Sequence, residues 1–306
     1  MPEITKDSFK RIERDIHQSE QISRPSINFW QDAWRRLKKN KLAMFGLGII
    51  IFLILMAIIG PHLIPYDYKT QNLSNTNQPI SAKHWFGTDD LGRDVFARSW
   101  EGARISLFIG FAAAMFDLLI GVVYGGISGF KGGKIDQIMM RIVDVLYGLP
   151  YLIVVILLMV VMEQGLFPII VALGATGWIG MARLVRGQIL QLKQMEFVLA
   201  ARTLGADTKR LLFTHLIPNT LGPIIVSMTL SVPGAIFGEA FLSFIGLGVT
   251  PPLASWGTMV NDAVVTIISG YWWRLFFPAT LISLTMFAFN VFGDGLRDAL
   301  DPKLRK

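Results

Sequence analysis

Long apolar windows alternate with short polar stretches along this chain, and six of the windows are long enough to cross a membrane. A bilayer core of about 30 Å needs roughly 20 residues of helix at a rise of 1.5 Å per residue. The pattern therefore predicts an all-α protein with six transmembrane helices. The predicted spans are 43–59, 105–127, 142–162, 166–181, 221–244 and 275–292.

Composition agrees with the pattern of apolar windows. The sequence is 52% hydrophobic and only 17% charged, with a mean hydropathy of +0.49. These values exceed those of an ordinary soluble domain and indicate an integral membrane protein. Because the chain has no cysteine, disulfides and thiolate metal sites are excluded.

The basic residues predict the orientation in the membrane. If the six spans are correct, 23 of the 29 Lys and Arg residues fall on one face. Cytoplasmic loops retain such residues, so we expect both termini and the 182–220 loop in the cytoplasm. The net charge of +7 is then a consequence of topology and not a nucleic-acid-binding surface. The predicted regions are 1–42 (N-terminal, cytoplasmic), 43–104 (first span and external loop), 105–296 (core transmembrane domain) and 297–306 (cytoplasmic tail).

An amphipathic segment precedes the first span. Trp30, Ala33, Trp34 and Leu37 recur at helical spacing, and Lys and Arg fill the positions between them. This pattern predicts an interfacial helix with indoles at headgroup depth and cations facing acidic membrane lipid. A partner-binding arm is the alternative.

The 182–220 loop carries a predicted helix, tight turn and second helix. Gly205 can adopt the positive φ that ends a helix, and Asp207 is a good N-cap for a helix starting at Thr208. Because Pro218 lacks a backbone N–H, we expect the second helix to break or bend there.

This loop resembles the cytoplasmic "EAA" loop of permease subunits in binding-protein-dependent ATP-binding-cassette (ABC) importers. Ala200, Ala201, Gly205 and Pro218 match the motif at the right spacing, whereas Leu199 replaces its glutamate and His215 stands at its first isoleucine. The resemblance implies that this loop contacts an ATPase. The residues implied in that coupling are Leu199, Ala200, Ala201, Gly205, Asp207, His215 and Pro218.

Two further blocks resemble the oligopeptide and dipeptide permease family. They are the Phe-Gly-Thr-Asp-Asp-Leu-Gly-Arg-Asp segment beginning at Phe86, and the Leu-Ser-Phe-Ile-Gly-Leu-Gly segment beginning at Leu242 and followed by Ser255-Trp-Gly. With Pro150 in the third span, they indicate the C-type permease subunit of that family.

The resemblance implies a fold, partners and a location. It implies the type I ABC-importer permease fold in a multi-pass protein of the bacterial cytoplasmic (inner) membrane. The implied partners are a homologous B-type permease in a heterodimer, two cytoplasmic ATP-binding subunits that hold ATP and Mg, and an external solute-binding protein. The chain itself has no Gly-x4-Gly-Lys-Ser/Thr phosphate loop, so we expect no ATP hydrolysis, cofactor or metal in it.

Three carboxylates lie within or near the ends of apolar spans, where an uncompensated charge is costly. Asp117 is interpreted either as a partner in an interhelical hydrogen bond or as part of the translocation path. Glu239 is assigned to the path or to a polar contact between subunits. For Asp144 we expect a local ion pair with Arg141, three residues earlier.

Glycines recur at close spacing in two spans, and such small faces permit close helix crossings. Gly121, Gly125 and Gly129 form overlapping pairs in the second span, and every third residue from Gly174 to Gly180 is glycine in the fourth. Packing within the chain, the surface between permeases and the lining of the path are the three interpretations.

Two functions from different classes fit these features. The first is an ATPase-driven permease subunit for oligopeptides or dipeptides, or for nickel complexes or glutathione within the same family. The second is an ion-coupled secondary transporter that uses Asp117 or Glu239, which leaves the 196–218 segment unexplained. A membrane scaffold without transport is a weaker third hypothesis.

Overall fold

The computed structural model describes residues 28–301, which are helical with a single isolated bridge between Thr88 and Asp94 and no strand. The predictions for residues 1–27 and 302–306 lie outside this range. The α-helices are α1 (Phe29–Lys39), α2 (Lys41–Ile59), α3 (Val95–Lys131), α4 (Gly133–Gly148), α5 (Tyr151–Met162), α6 (Leu166–Leu192), α7 (Glu196–Thr203), α8 (Thr208–Arg210), α9 (Ile217–Phe244), α10 (Trp256–Val264) and α11 (Trp273–Leu300).

Five helical segments are long and apolar enough to cross a membrane. They are Lys41–His62, Val95–Lys131, Leu166–Leu192, Thr208–Phe244 and Trp273–Leu300, and the pair α4 and α5 makes a sixth if it is one broken span. Each of the five contains a predicted span and extends beyond it. The prediction of a multi-span α-helical membrane protein is confirmed.

The third predicted span, 142–162, is wrong as one continuous helix. α4 and α5 meet at an angle of 86°. Leu149 has extended backbone (ψ 133°) before Pro150, since the proline ring disfavours helical geometry in the preceding residue. The predicted loop at 128–141 is also largely helical, because α3 continues to Lys131 and α4 starts after a turn in which Gly132 and Gly133 both have positive φ.

α3 and α6 pack along their length in parallel directions, and glycines make this approach possible. A Cβ on Gly129 would lie 2.9 Å from the carbonyl oxygen of Arg186, and one on Gly121 would lie 3.0 Å from that of Trp178. Of the three interpretations, packing within the chain is therefore confirmed for these two glycines. Gly180 differs, since nothing lies within 4 Å of its added Cβ.

α1 forms as predicted and lies against the end of α11. Its apolar side buries Ala33 and Leu37 against residues that include Leu300 and Ala299, while Trp30 and Trp34 stay exposed. The ammonium of Lys38 lies 5.2 Å from the centre of the Trp34 ring. The contact of α1 with membrane lipid remains a prediction.

The segment between α2 and α3 folds over the N-terminal end of α3. His84 Nδ1 lies 2.7 Å from Asp94 Oδ2, and the rings of Phe86 and Phe277 stack at 3.7 Å. Asp89 accepts hydrogen bonds from Arg93 and Arg98. Burial alone would raise the pKa of Asp89, but the charges of Arg98 and Arg93 hold it below its ordinary value. This end of the bundle is opposite to α7, because α6 runs parallel to α3 and α7 follows the C-terminal end of α6.

Candidate functional site

α7 ends in the tight turn that the sequence predicts. Gly205 has φ +84°, and its N–H donates to the carbonyl of Arg202 at 3.0 Å. The N–H of Ala206 donates to the carbonyl of Ala201, also at 3.0 Å, which closes the helix terminus. Nothing lies within 4 Å of a Cβ added at Gly205, so the turn requires glycine for its backbone conformation and not for space.

The next helix starts at the predicted N-cap. Asp207 has extended backbone, and its Oδ1 accepts a hydrogen bond from the N–H of Arg210 at 2.8 Å. The turn from Gly205 to Asp207 thus sets α7 and α8 at a defined angle. The prediction of helix, turn and helix is confirmed.

The expected break at Pro218 is wrong. A π-helical segment, Leu211–Leu216, follows α8, and α9 then starts with Pro218 in its first turn, so that the helix runs from Thr208 to Phe244. The chain changes there from i→i+5 to i→i+4 hydrogen bonding. A proline in that first turn removes a donor where the ladder is already interrupted, and the helix continues.

A buried cluster fixes the helix–turn–helix to the bundle. Val198 of α7 and Leu211 and Leu216 of the π segment pack with Met181, Val185 and Ile189 of α6. Ala201 and Ala206 lie partly buried against the same cluster. The helix–turn–helix is therefore closely packed against α6 and the start of α9.

The opposite side of α7 presents apolar side chains to the outside. Leu204 is 88% exposed, and Leu199 and Phe213 are also exposed. Ala200, Asp207 and Pro218 are also exposed, whereas His215 is half-buried and its carbonyl accepts a hydrogen bond from Asn219 Nδ2 at 2.6 Å. Exposed apolar side chains on a polar loop indicate a protein-binding surface. We call residues 196–213 the coupling element.

Ionic contacts that the sequence did not reveal connect this end of α6 to α3 and α4. Arg186 donates to Asp136 from Nε at 2.5 Å and from Nη2 at 2.6 Å, and Ser128 Oγ donates to the same carboxylate at 2.5 Å. Lys193 Nζ donates to the carbonyls of Phe130 and Gly129 at 2.6 and 3.3 Å. We call these six residues the ionic clamp.

Asp144 forms an ion pair, but not with the predicted partner. Arg183 on α6 donates to its Oδ1 at 2.8 Å and lies over the Tyr147 ring at 4.3 Å from the ring centre. The expected pair with Arg141 is therefore wrong. The guanidinium of Arg183, on the facing helix, contacts both the Asp144 carboxylate and the Tyr147 ring. The additional cation–π contact favours Arg183 over Arg141 as the partner of Asp144.

Asp117 and Glu239 occupy different environments. Asp117 is buried against Gly177 of α6, and its Oδ1 has no hydrogen-bond partner in the described part of the chain. Glu239 is 0% exposed and accepts hydrogen bonds from Ser255 at 2.5 Å, Ser243 at 2.7 Å and Ser106 at 3.2 Å.

The two carboxylates do not form one site. Glu239 contacts α3 at Ser106, which is 11 positions from Asp117, or about 16 Å along the helix at 1.5 Å per residue. The hydroxyl partners of Glu239 lie on α3, on α9 and at the N-cap of α10, so its polar contacts are within this chain. Their predicted roles in a translocation path remain predictions.

Comparison with known families gives two matches that together cover most of the chain. Residues 121–306 match the model described as "Binding-protein-dependent transport system inner membrane component". Residues 28–79 match the model described as "N-terminal TM domain of oligopeptide transport permease C".

Curated proteins include close relatives over nearly the full length. A dipeptide transport system permease protein, DppC, of Bacillus subtilis is 65% identical over 94% of this chain and 90% of its own. An oligopeptide transport system permease protein, OppC, of the same organism is 61% identical over the whole of both chains. The OppC protein of Escherichia coli K12 is 41% identical over 94% of this chain and 95% of its own.

A solved structure shares the fold. It is described as the crystal structure of an amino acid ABC transporter with histidines, and it superposes with a TM-score of 0.50 at 15% sequence identity. The match covers 65% of this chain and 92% of that chain. At this identity the likeness concerns the fold alone.

Proposed function

This chain belongs to the family of binding-protein-dependent transport system inner membrane components, and we propose that it is the C-type permease subunit of an ATP-driven importer of oligopeptides or dipeptides. As a family member with several apolar spans, it is a multi-pass protein of the bacterial cytoplasmic membrane. Relatives named as peptide permeases support this function over an ion-coupled transporter and over nickel or glutathione import.

The observation that carries the proposal is the coupling element. It has a rigid base buried in the bundle and an apolar tip, Leu204, that is almost fully exposed. Such a tip fits a cleft on another protein, and the positive-inside distribution of Lys and Arg favours a cytoplasmic position for it. We assign it as the docking site for a cytoplasmic ATP-binding subunit.

The proposed partners follow from this role. Two ATP-binding subunits hold ATP and Mg, a homologous B-type permease completes the translocation path, and an external solute-binding protein delivers the peptide. This chain contributes no catalytic group to ATP hydrolysis. Its part is mechanical, since it converts movement of the ATPase into movement of its spans.

The contacts provide a route for that movement. Closure of the ATP-binding subunits displaces α7, and the buried cluster passes the displacement to α6 and α9. The ionic clamp passes it on to the ends of α3 and α4. The spans then alternate between states open to either side of the membrane, as packed helices shift between discrete arrangements.

Reconstitution of the complete importer in lipid vesicles tests the proposal. With the solute-binding protein outside and ATP supplied to the ATPase side, we expect accumulation of labelled peptide that stops when ATP or the ATPase is omitted. Uptake that continues on a proton or sodium gradient without ATP would instead establish an ion-coupled transporter.

A further inference from the structure

A cavity of about 400 Å³ opens at the end of the bundle opposite to the coupling element. It is formed mainly by residues 90–98 around the start of α3, by residues 243–253 around the end of α9 and by the helix α10, with Gln71 and Gln164 also in its lining. Its lining includes Asp90, Arg93, Arg98, Gln164, Ser243 and Asp262. We call it the distal cavity. Its volume lies in the range of small-ligand sites.

Charge is distributed unevenly in the wall of the distal cavity. The side chains of Asp90 and Asp262 are 52% and 43% exposed, whereas that of Arg98 is only 6% exposed. Arg98 is engaged mainly with the buried Asp89, and its Nη2 lies 3.5 Å from Asp262 Oδ2. A ligand entering the cavity therefore meets carboxylates first.

Asp262 is only partly neutralised by its neighbours. Burial raises its pKa, the charges of Arg98 and Arg93 act in the opposite direction, and the nearby charge of Asp90 raises it again. The charge of Arg274 also lowers the pKa of Asp262, and Arg274 Nη2 donates to Asp90 Oδ1 at 3.0 Å. A cation bound between Asp90 and Asp262 would reduce the repulsion that remains.

The wall also holds a weakly engaged donor. Arg98 Nη2 lies 3.5 Å from Asp262 Oδ2, which is long for a charge-assisted hydrogen bond. Such a donor calls for an acceptor, such as a carbonyl oxygen. The N-terminus of a peptide carries an ammonium group and a carbonyl within one residue, whereas a lysine side chain of a docking protein offers only the cation.

The floor of the cavity leads toward the buried polar cluster of the bundle. Ser243 lines the cavity, and its Oγ donates to Glu239 at 2.7 Å. At the rim, Gln164 Nε2 donates to the carbonyl of Gly246 at 3.0 Å, which connects the α5–α6 turn to the segment after α9. The cavity thus lies directly above the core of the spans.

We propose that the distal cavity receives the amino terminus of the peptide as it leaves the solute-binding protein, with Asp262 and Asp90 facing its ammonium group and Arg98 facing its first carbonyl. This inference rests on the proposed import of peptides. It assigns to Asp262 a direct contact with the substrate.

The test compares trialanine with propionyl-dialanine, which lacks only the terminal amine. Uptake of each is measured in vesicles holding the complete importer, at concentrations that saturate the solute-binding protein. Asp262→Asn is compared with Asp67→Asn, an exposed carboxylate between α2 and α3 that lies outside the cavity. Asp262→Glu keeps the charge, and the amount of assembled complex is measured for every variant.

We expect Asp262→Asn to slow trialanine uptake about tenfold or more, as loss of a charge-assisted hydrogen bond implies. Propionyl-dialanine uptake should be unchanged, Asp262→Glu should restore selectivity for the amine, and Asp67→Asn should behave as wild type. An equal loss for both compounds would reduce Asp262 to a structural role and overturn the inference.

Two other results would also overturn it. One is an Asp262→Asn variant indistinguishable from Asp67→Asn. The other is a higher requirement for solute-binding protein with selectivity intact, which would make the cavity a docking site for that protein. Absence of ATP-driven uptake by the wild-type importer would overturn the proposed function itself, whereas the results above leave that function standing.

Discussion

Arg186 donates two hydrogen bonds to the carboxylate of Asp136, from Nε at 2.5 Å and from Nη2 at 2.6 Å, although the two residues are 50 positions apart. The contact joins α6 to the first turn of α4, close to the point where α3 ends. Because α6 leads directly into the coupling element, this pair connects that element to α4, and Ser128 of α3 donates to the same carboxylate.

Arg186→Gln should uncouple ATP hydrolysis from uptake. The variant loses the paired geometry that only a guanidinium provides, so that displacement of α6 no longer carries α4. We expect peptide uptake to fall about tenfold while ATPase activity falls by less than about twofold. Uptake and hydrolysis are measured on the same vesicles.

Arg183→Gln provides the control for this variant. It removes an ion pair to Asp144 on the same two helices, but both side chains are more exposed. Exposed pairs contribute little, so uptake should stay near wild type. Equal losses in both variants would argue against a specific role of the clamp.

Replacing Gly205 tests the turn of the coupling element. Gly205→Val forces a β-branched residue into φ +84°, at a cost of about 1–3 kcal/mol, and α7 should shift or fray. We expect loss of coupled uptake with normal amounts of protein in the membrane. Gly205→Asn should retain more uptake, since asparagine tolerates this conformation better.

Gly187→Ala is the corresponding control within α6. A Cβ there meets nothing within 4 Å, and the backbone is helical. It should leave uptake unchanged. If Gly205→Val also transports normally, the turn is not needed for coupling.

Leu204→Asp tests the exposed tip of the coupling element. The side chain makes little contact within the chain, so the change should leave stability within about 0.5 kcal/mol of wild type. It should nevertheless weaken retention of the ATP-binding subunits during purification, because a carboxylate replaces an apolar contact at the centre of the surface.

Leu73→Asp, at the opposite end of the bundle, is the control for the tip variant. Leu73 is also strongly exposed, and retention of the ATP-binding subunits should not change. Full retention in the Leu204→Asp complex would place the docking surface elsewhere.

Substitutions of the two buried carboxylates Glu239 and Asp117 should have different effects on the melting temperature of the complex. Glu239→Ala leaves three serine hydroxyls without their acceptor, at a cost of about 2 kcal/mol or more, and should lower the melting temperature of the purified complex. Asp117→Asn removes a charge whose Oδ1 has no partner, and should leave the melting temperature unchanged or raise it. A large destabilisation by Asp117→Asn would contradict its environment in the structure.

Local features of the sequence were sufficient to predict the helix–turn–helix structure of the coupling element. The turn at Gly205 and the N-cap at Asp207 depend on residues within a few positions, and both formed as predicted. Pro218 shows the limit of such rules, because a π-helical segment just before it accommodates the missing donor. The 86° bend after Leu149 was marked by Pro150 but hidden in a continuous apolar window.

Contacts between distant segments could not be predicted in the same way. Arg186 with Asp136, Arg183 with Asp144 and Ser106 with Glu239 each join different helices, and no spacing in the sequence records them. The distal cavity likewise needs several distant segments brought together by the fold. Asp262 had no local signal, since a single aspartate in a short helix is typical of any exposed helix surface.

Disulfide crosslinking from position 204 tests the central claim most directly. The sequence contains no cysteine, so Leu204→Cys and the control Leu73→Cys each introduce a single thiol. In native membranes containing an ATP-binding subunit with cysteines along its cleft, we predict that Leu204→Cys crosslinks to that subunit, to an extent that changes with nucleotide, and that Leu73→Cys does not. Failure of Leu204→Cys to reach any nucleotide-hydrolysing subunit, or equal crosslinking from both positions, would contradict the account.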